Sequence, residues 1–205
     1  GDVYKRQKYK DLTGEGEVTP GASTLENHGD LKRIGNNSPR YRVGLNLDAA
    51  WKGIDFSIFF QGVLKRDWMF DAGDPYFWGA GSGMWQAACF EEHMDYWTPE
   101  NTDAYYPKPY FNETKNQQAQ DAYMQKASYL RCKNIQLGYT LPTHITEKAG
   151  ISNCRIYLSC DNLFTITGLS SVYDPEAFGS YDGYGTSGKT YPLQRTISVG
   201  VNLNF

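Results

Sequence analysis

From Tyr41 onward, apolar and polar side chains alternate in five separate stretches. Tyr41, Val43, Leu45, Leu47 and Ala49 share one parity, and Arg42, Gly44, Asn46 and Asp48 the other. After a short turn at Trp51-Lys-Gly53, Ile54, Phe56, Ile58 and Phe60 oppose Asp55, Ser57 and Gln61. The pattern returns with Ile135, Leu137, Tyr139 and Leu141 against Asn134, Gln136, Gly138 and Thr140. A fourth run sets Ile156, Leu158, Cys160 and Phe164 against Arg155, Tyr157, Ser159 and Asp161. The last sets Ile197, Val199, Val201, Leu203 and Phe205 against Thr196, Ser198, Gly200, Asn202 and Asn204. A period of two puts successive side chains on opposite faces of a β-strand. Strands are therefore predicted at 41–50, 54–63, 129–141, 154–164 and 195–205, each with one apolar and one polar face.

The connections differ in length in a regular way. Those after the first and third strands are short turns, the second with a helical turn expected around Ile145 to Ala149. Those after the second and fourth are long loops, 64–128, rich in Gly, Pro and aromatic residues, and 165–192, rich in Gly, Ser, Tyr and Asp. A short helix is expected at Ala119 to Lys126. Short turns on one side and long loops on the other fit an outer-membrane barrel, whose tilted strands need about 9–11 residues to cross. On that reading the apolar face meets lipid and the polar residues line the lumen. Extending the third apolar face backwards meets Lys133 and Arg131, which would then mark the edge of the hydrocarbon. Trp51, Tyr139 and Phe205 would share an interfacial girdle on the short-turn side. The alternative is a soluble β-sandwich that binds carbohydrate through an aromatic loop, which requires the apolar faces to meet one another.

Composition narrows this further. Mean hydropathy is −0.59, and no apolar run approaches the ~20 residues of a membrane helix, which leaves barrels untouched. A net charge of −3 gives no electrostatic case for nucleic acid. Cys89, Cys132, Cys154 and Cys160 show no metal-ligand spacing and read as small, half-apolar residues. Residues 1–40 read as polar loop. Residues 1–7 carry no pattern and no initiator Met, as in a chain that begins mid-protein with a stretch not native to it.

Candidate chemistry is sparse. Asp11-Leu-Thr-Gly-Glu-Gly16 has the shape of a calcium loop but lacks the closing carboxylate, since Ala22 stands at the twelfth position. Glu91, Glu92, His93 and Asp95 could hold a metal but read better as a solvated acidic loop. No nucleophile elbow or Ser/His/Asp set points to catalysis, so no enzyme, cofactor or metal is expected. Four of the five tryptophans lie in the first long loop. There Tyr76, Phe77, Trp78, Trp85 and Trp97 are candidates for stacking on substrate or on a partner, against the plainer reading that they pack the loop. Lumen-facing Arg42, Asp48, Asp55, Arg155 and Asp161 are expected to pair along the wall.

An ordered set of motifs resembles the C-terminal part of SusC/RagA-type TonB-dependent outer-membrane transporters. It comprises Tyr9-Lys-Asp-Leu-Thr-Gly-Glu-Gly16, Ile34-Gly-Asn36, Tyr96-Trp-Thr-Pro-Glu-Asn101 with Tyr106-Pro107, and Tyr129-Leu-Arg131. It continues with Asn134-Ile-Gln-Leu-Gly-Tyr-Thr-Leu-Pro142, Asn162-Leu-Phe164 and Tyr191-Pro-Leu-Gln-Arg-Thr196. Ser198, Gly200, Leu203 and Phe205 resemble the signal read by the barrel-assembly machinery. The resemblance implies an all-β fold: residues 41–205 as the last five antiparallel strands of a transmembrane barrel of about twenty-two, with long extracellular loops. It also implies a plug and TonB-box elsewhere, and import of oligosaccharides or peptides driven through TonB-ExbB-ExbD. A SusD-like lipoprotein lid and a Bacteroidetes-like outer membrane complete what the family implies.

Overall fold

The computed structural model describes residues 9–82, 88–110, 115–177, 191 and 193–205. They fall into two compact units, a sheet unit from Asn37–Asp67, Gln125–Ala177 and Tyr191–Phe205, and a loop unit whose described residues lie in 9–36 and Trp68–Met124.

The strands are β1 (Arg40–Trp51), β2 (Ile54–Lys65), the two-residue β3 (Asp67–Trp68), β4 (Gln125–Thr140), β5 (Asn153–Gly168) and β6 (Thr196–Asn204). The long strands form one antiparallel sheet in the order β1-β2-β4-β5-β6, with β3 paired to β4. Lys52 and Gly53 both have positive φ, the combination that closes a two-residue hairpin between β1 and β2. The β4–β5 connection carries a short helix α1 (Thr143–Thr146) and a 3-10 turn at Glu147–Ala149. β4 starts before Tyr129 and β5 runs past Phe164, so both extend beyond their periodic stretches. The helix expected at Ala119 to Lys126 is a single 3-10 turn, Asp121–Tyr123, after which the chain enters β4.

Directly opposed residues in an antiparallel sheet share a face. The register therefore builds continuous rows, such as Leu47, Ile58, Ile135, Cys160 and Ile197, and Ala49, Phe56, Leu137, Leu158 and Val199. Trp51, Ile54, Tyr139, Ile156 and Val201 form the row nearest the short turns. This apolar face is open: Leu45 is 52% exposed, Leu137 50%, Leu158 48%, Val201 55% and Val199 74%. A sandwich would bury these residues against a second layer, so that alternative fails.

One sequence expectation reverses. Opposite β2 the register slips, with Phe59 facing Asn134 and Phe60 facing Cys132, so Lys133 is an extra residue in β4. A bulge of this kind turns the strand by one position. Cys132 and Ile135 stay on the apolar face, while Arg131 and Lys133 turn to the polar one. There Arg131 is 4% exposed. The two cations do not mark the edge of the hydrocarbon; they hold a loop.

Within the loop unit, residues 9–36 are organised by two carboxylates. Asp30 accepts the N–H groups of Leu12, Thr13 and Thr19, and Asp11 those of Gly14 and Gly16. These backbone bonds, led by Thr19 for Asp30 and by Gly16 for Asp11, hold both carboxyls below the usual range. Amide protons occupy the oxygens that a calcium loop would present to the ion. The segment Trp68–Met124 builds its own aromatic core: Phe70 stacks on Phe77 at 4.7 Å, while Trp78 meets Phe77 and Tyr123 edge-on, each at 4.8 Å. Gln117 clamps it, accepting from the Gly73 N–H (2.6 Å) and donating to the Gly81 carbonyl (2.7 Å).

Candidate functional site

Two arrangements carry chemistry, one in each unit. On the polar face of the sheet, Arg155 of β5 reaches across β4 to a two-pronged ion pair with Asp55 of β2. It can do so because Gly138 stands between them; a Cβ there would lie 2.5 Å from both the guanidinium and the carboxylate. The Arg155 guanidinium also lies 5.0 Å over the Tyr157 ring, and that ring covers Gly200 of β6, leaving no room for a Cβ. The row Asp55–Gly138–Tyr157–Gly200 thus alternates a side chain with a glycine that accommodates it. Asp161 accepts from Asn134 Nδ2 at 2.7 Å, and Asp48 from Asn46.

Farther along the same face, Arg131 donates from Nε to Thr165 (2.7 Å) and from Nη2 to Asp174 (2.8 Å). Lys133 reaches Glu176 at 2.9 Å, pinning the segment after β5 to the sheet. Burial pushes the Asp174 carboxyl up. The Glu176 N–H, the Arg131 guanidinium and the Leu193 N–H outweigh it, and the group ends below the usual carboxylate range. Removing one partner from such a buried pair costs about 3–5 kcal/mol. Sequence alternation could not reveal this latch. Its trace is the spacing of three between Cys132 and Ile135, which a regular strand would make two or four.

The loop unit holds a cavity of about 260 Å³. Trp78, Tyr96, Tyr106, Pro107, Pro109 and Tyr110 supply flat apolar walls, and Ala80, Gly81, Cys89 and His93 also line it. His93 is not part of a solvated acidic loop as the sequence suggested; it is 7% exposed. Its ring sits over Gly79, where a Cβ would approach Nδ1 to 2.7 Å, and meets Tyr106 edge-on at 5.2 Å. Nδ1 accepts from the Phe90 N–H at 3.0 Å, so neutral His93 carries its proton on Nε2. Nε2 has no hydrogen-bond partner among the described residues. An unpaired buried donor costs on the order of 1–3 kcal/mol. Asp95 turns elsewhere, accepting from Asn101 and the Tyr105 N–H. Among the described residues no group of His, Cys, Asp and Glu side chains converges on a metal position. Burial raises the Tyr106 phenol well above its usual range, with the Glu92 charge adding to it, so the wall stays neutral at physiological pH.

The five aromatic candidates separate. Phe77 is fully buried (0% exposed), and Trp97 is buried, its backbone N–H donating to the Tyr106 carbonyl at 3.0 Å. Trp78 is buried but lines the cavity, with its indole N–H donated to the Asp71 carbonyl. Tyr76 is half-buried, stacked at 5.8 Å on Phe90. Trp85 lies outside the described residues. At the short-turn end, Ser198 and Gly200 occupy the polar face of β6 and Leu203 the apolar face, while Phe205 follows the last paired residue and is 86% exposed.

No family model matches the chain. Two curated relatives are TonB-dependent receptors from Formosa agariphila. Receptor P3 is 30% identical over 204 residues, 96% of this chain and 19% of the relative. Receptor P26 is 26% identical over 205 residues, 97% of this chain and 19% of the relative. Among solved structures, the RagAB peptide importer in its open-open state superposes with a TM-score of 0.60 at 30% identity, over 82% of this chain and 17% of that one. A further RagAB peptide transporter structure gives a TM-score of 0.61 at 27% identity, over 82% and 18%. The chain spans about a fifth of the length of the curated relatives it matches.

Proposed function

Because this chain belongs to the SusC/RagA-type TonB-dependent receptors, we propose that its sheet is wall in an outer-membrane barrel, and that the whole protein imports oligosaccharides or peptides through it. The observation that carries this reading is the open apolar face. Five long strands put rows of Leu, Ile, Val and aromatic side chains on one side, each partly exposed. Water would make that face a liability, whereas lipid makes it the second layer of the fold. β6 has 9 residues, a length that crosses when tilted. β4 and β5 have 16 each, so they project past the bilayer on the long-loop side.

The polar face then lines the lumen of a barrel of about twenty-two strands. The Asp55–Arg155 bridge fixes the spacing of three neighbouring strands without an unpaired charge in the wall. The latched segment after β5 narrows the lumen on the long-loop side. Import is driven by TonB-ExbB-ExbD acting on parts of the protein outside this chain, and a SusD-like lipoprotein closes the outer mouth. The described importer relatives take peptides, which favours peptide over glycan cargo. Tyr76, Trp78 and Trp85 remain the candidates for contact with cargo or partner; Phe77 and Trp97 serve the loop core. Ser198, Gly200, Leu203 and Phe205 form the segment read by the assembly machinery.

The experiment is uptake of a labelled peptide mixture by cells carrying the full-length protein, with and without TonB. Uptake should depend on both protein and TonB; accumulation that persists without TonB contradicts the import reading. Phe205→Ala should lower the heat-modifiable barrel in the outer membrane while expression holds.

A further inference from the structure

Resting on the import reading, we infer that a cleft on the polar face of the sheet binds a carboxylate carried by the cargo, with Arg42 as donor and the Arg66 charge beside it. Three observations carry this. First, the register builds the cleft. Arg42 opposes Val63, and Val63 opposes Tyr129, so the three share the polar face. Gly44, on the same face, leaves space that a Cβ would fill, 3.5 Å from the Phe59 ring. Glu176 of the latched segment and Arg66 also line the cleft, which holds about 580 Å³. Arg42 stands near the start of β1, at its long-loop end, where incoming cargo arrives first.

Second, the charges on the wall leave Arg42 unmatched. Asp48, Asp55, Arg155 and Asp161 each find a partner there. Glu176 is met by Lys133 at 2.9 Å and Arg131 at 3.6 Å, and Asp174 by Arg131 at 2.8 Å. Among the described residues Arg42 makes no hydrogen bond or ion pair. Arg66, oriented by its Nε–H bond to the Asn37 carbonyl at 3.0 Å, lines the same cleft. Burial holds the Arg66 guanidinium below its usual range; Tyr129 opposes this, and the Arg42 charge adds to it. The two cations are therefore close enough to repel, and an anion seated with them relieves both. Third, the donors select the ligand. A guanidinium fork matches the two oxygens of a carboxylate, and the Tyr129 phenol lining the cleft offers a further donor. Phe59 and Val63 give apolar surface to the chain that bears the carboxylate.

The test is TonB-dependent uptake, by cells carrying the full-length protein, of two matched pairs of labelled probes. One pair is an N-acetylated, C-amidated Ala/Leu peptide with a single Glu, and its Gln counterpart. The other is oligogalacturonate and its methyl ester. In the pair that matches the cargo, the charged member should enter about tenfold faster than the neutral one. Arg42→Gln should bring that ratio near one, and Arg66→Gln should reduce it. Arg42→Lys should keep part of it, since the charge stays and the fork is lost. Because the ratio is taken within one strain, a change in the amount of barrel does not move it. A preference in the peptide pair assigns the carboxylate to peptide, and one in the sugar pair to acidic sugar; either keeps the site. A wild-type ratio near one in both pairs makes Arg42 a solvated wall cation and overturns the site while import stands. A preference unchanged in both Arg42→Gln and Arg66→Gln also overturns it. So does Arg42→Gln lowering both members of a pair equally, which assigns its partner to a carboxylate of the protein itself. No TonB-dependent uptake of any probe overturns the import reading, and the site with it.

Discussion

The two units place their apolar side chains in opposite directions. On the apolar face of the sheet unit many Ile, Leu and Val side chains lie open, among them Ile54 at 41% exposed, Leu158 at 48% and Val199 at 74%. The loop unit folds Phe70, Phe77 and Tyr123 inward to no more than 1%. Composition already separates them, since residues 68–124 contain no Leu, Ile or Val and build on Phe, Tyr and Trp instead; the medium that completes each separates them further. The loop unit closes on its own aromatic core. The sheet lacks a second layer and needs lipid. Substitutions should therefore act through packing in the loop unit, and through face and depth in the sheet.

The largest effect is expected at Phe77. Phe77→Ala opens a hole among Phe70, Trp78, Tyr106 and Tyr123 and should destabilise the loop unit by about 3–5 kcal/mol. Limited proteolysis should then cut 68–124 while the heat-modifiable barrel persists. Loss of both together would show that the units do not separate as described. Next, Leu158→Arg should cost about 2–4 kcal/mol at mid-membrane and lower the amount of protein in the outer membrane. Its neighbour Ser159→Arg, on the polar face, should leave that level near wild type. Equal outcomes would erase the distinction between faces.

A smaller effect is expected at Gly200. Gly200→Ala meets the Tyr157 ring and should cost about 1–3 kcal/mol as overpacking. Tyr157→Ala in the same chain should relieve it in a double-mutant cycle; additivity would mean the ring and glycine do not interact. Smallest is the pH response of the Arg131–Asp174 latch. The folded Asp174 carboxyl titrates below its unfolded value of about 3.9, so its contribution is fully present above that pH and fades as pH falls through the lower folded value. Hydrogen exchange in the segment 169–177 should stay slow at neutral pH and quicken in that acid range. Asp174→Asn should lose the dependence.

Much of the sheet was legible because one face of each strand is apolar over its whole length. That signal is local and periodic, and it also assigned Arg155, Asp55 and Asp161 to the face where they pair. The bulge was not legible. One extra residue at Lys133 changes the parity of everything before it, and nothing in the chemistry of Arg131 says which side of the slip it occupies. The loop unit was less legible still. Its contacts join residues far apart, such as Gly73 with Gln117 and Lys32 with Asp121, and no period marks them. His93 looked solvated because Glu91, Glu92 and Asp95 surround it in sequence. Gly79 and Tyr106 decide its burial, and both are distant along the chain.

The most direct test of the central claim is to read the medium at neighbouring positions. Spin labels placed singly at Leu158, Ser159, Ser198 and Val199 of the full-length protein in bilayers, with native cysteines replaced, report collisions with oxygen and with a water-soluble nickel complex. The account predicts oxygen-rich, nickel-poor environments at Leu158 and Val199, and the reverse at Ser159 and Ser198. Labels at Leu158 and Val199 that collide freely with nickel would contradict a lipid-facing wall.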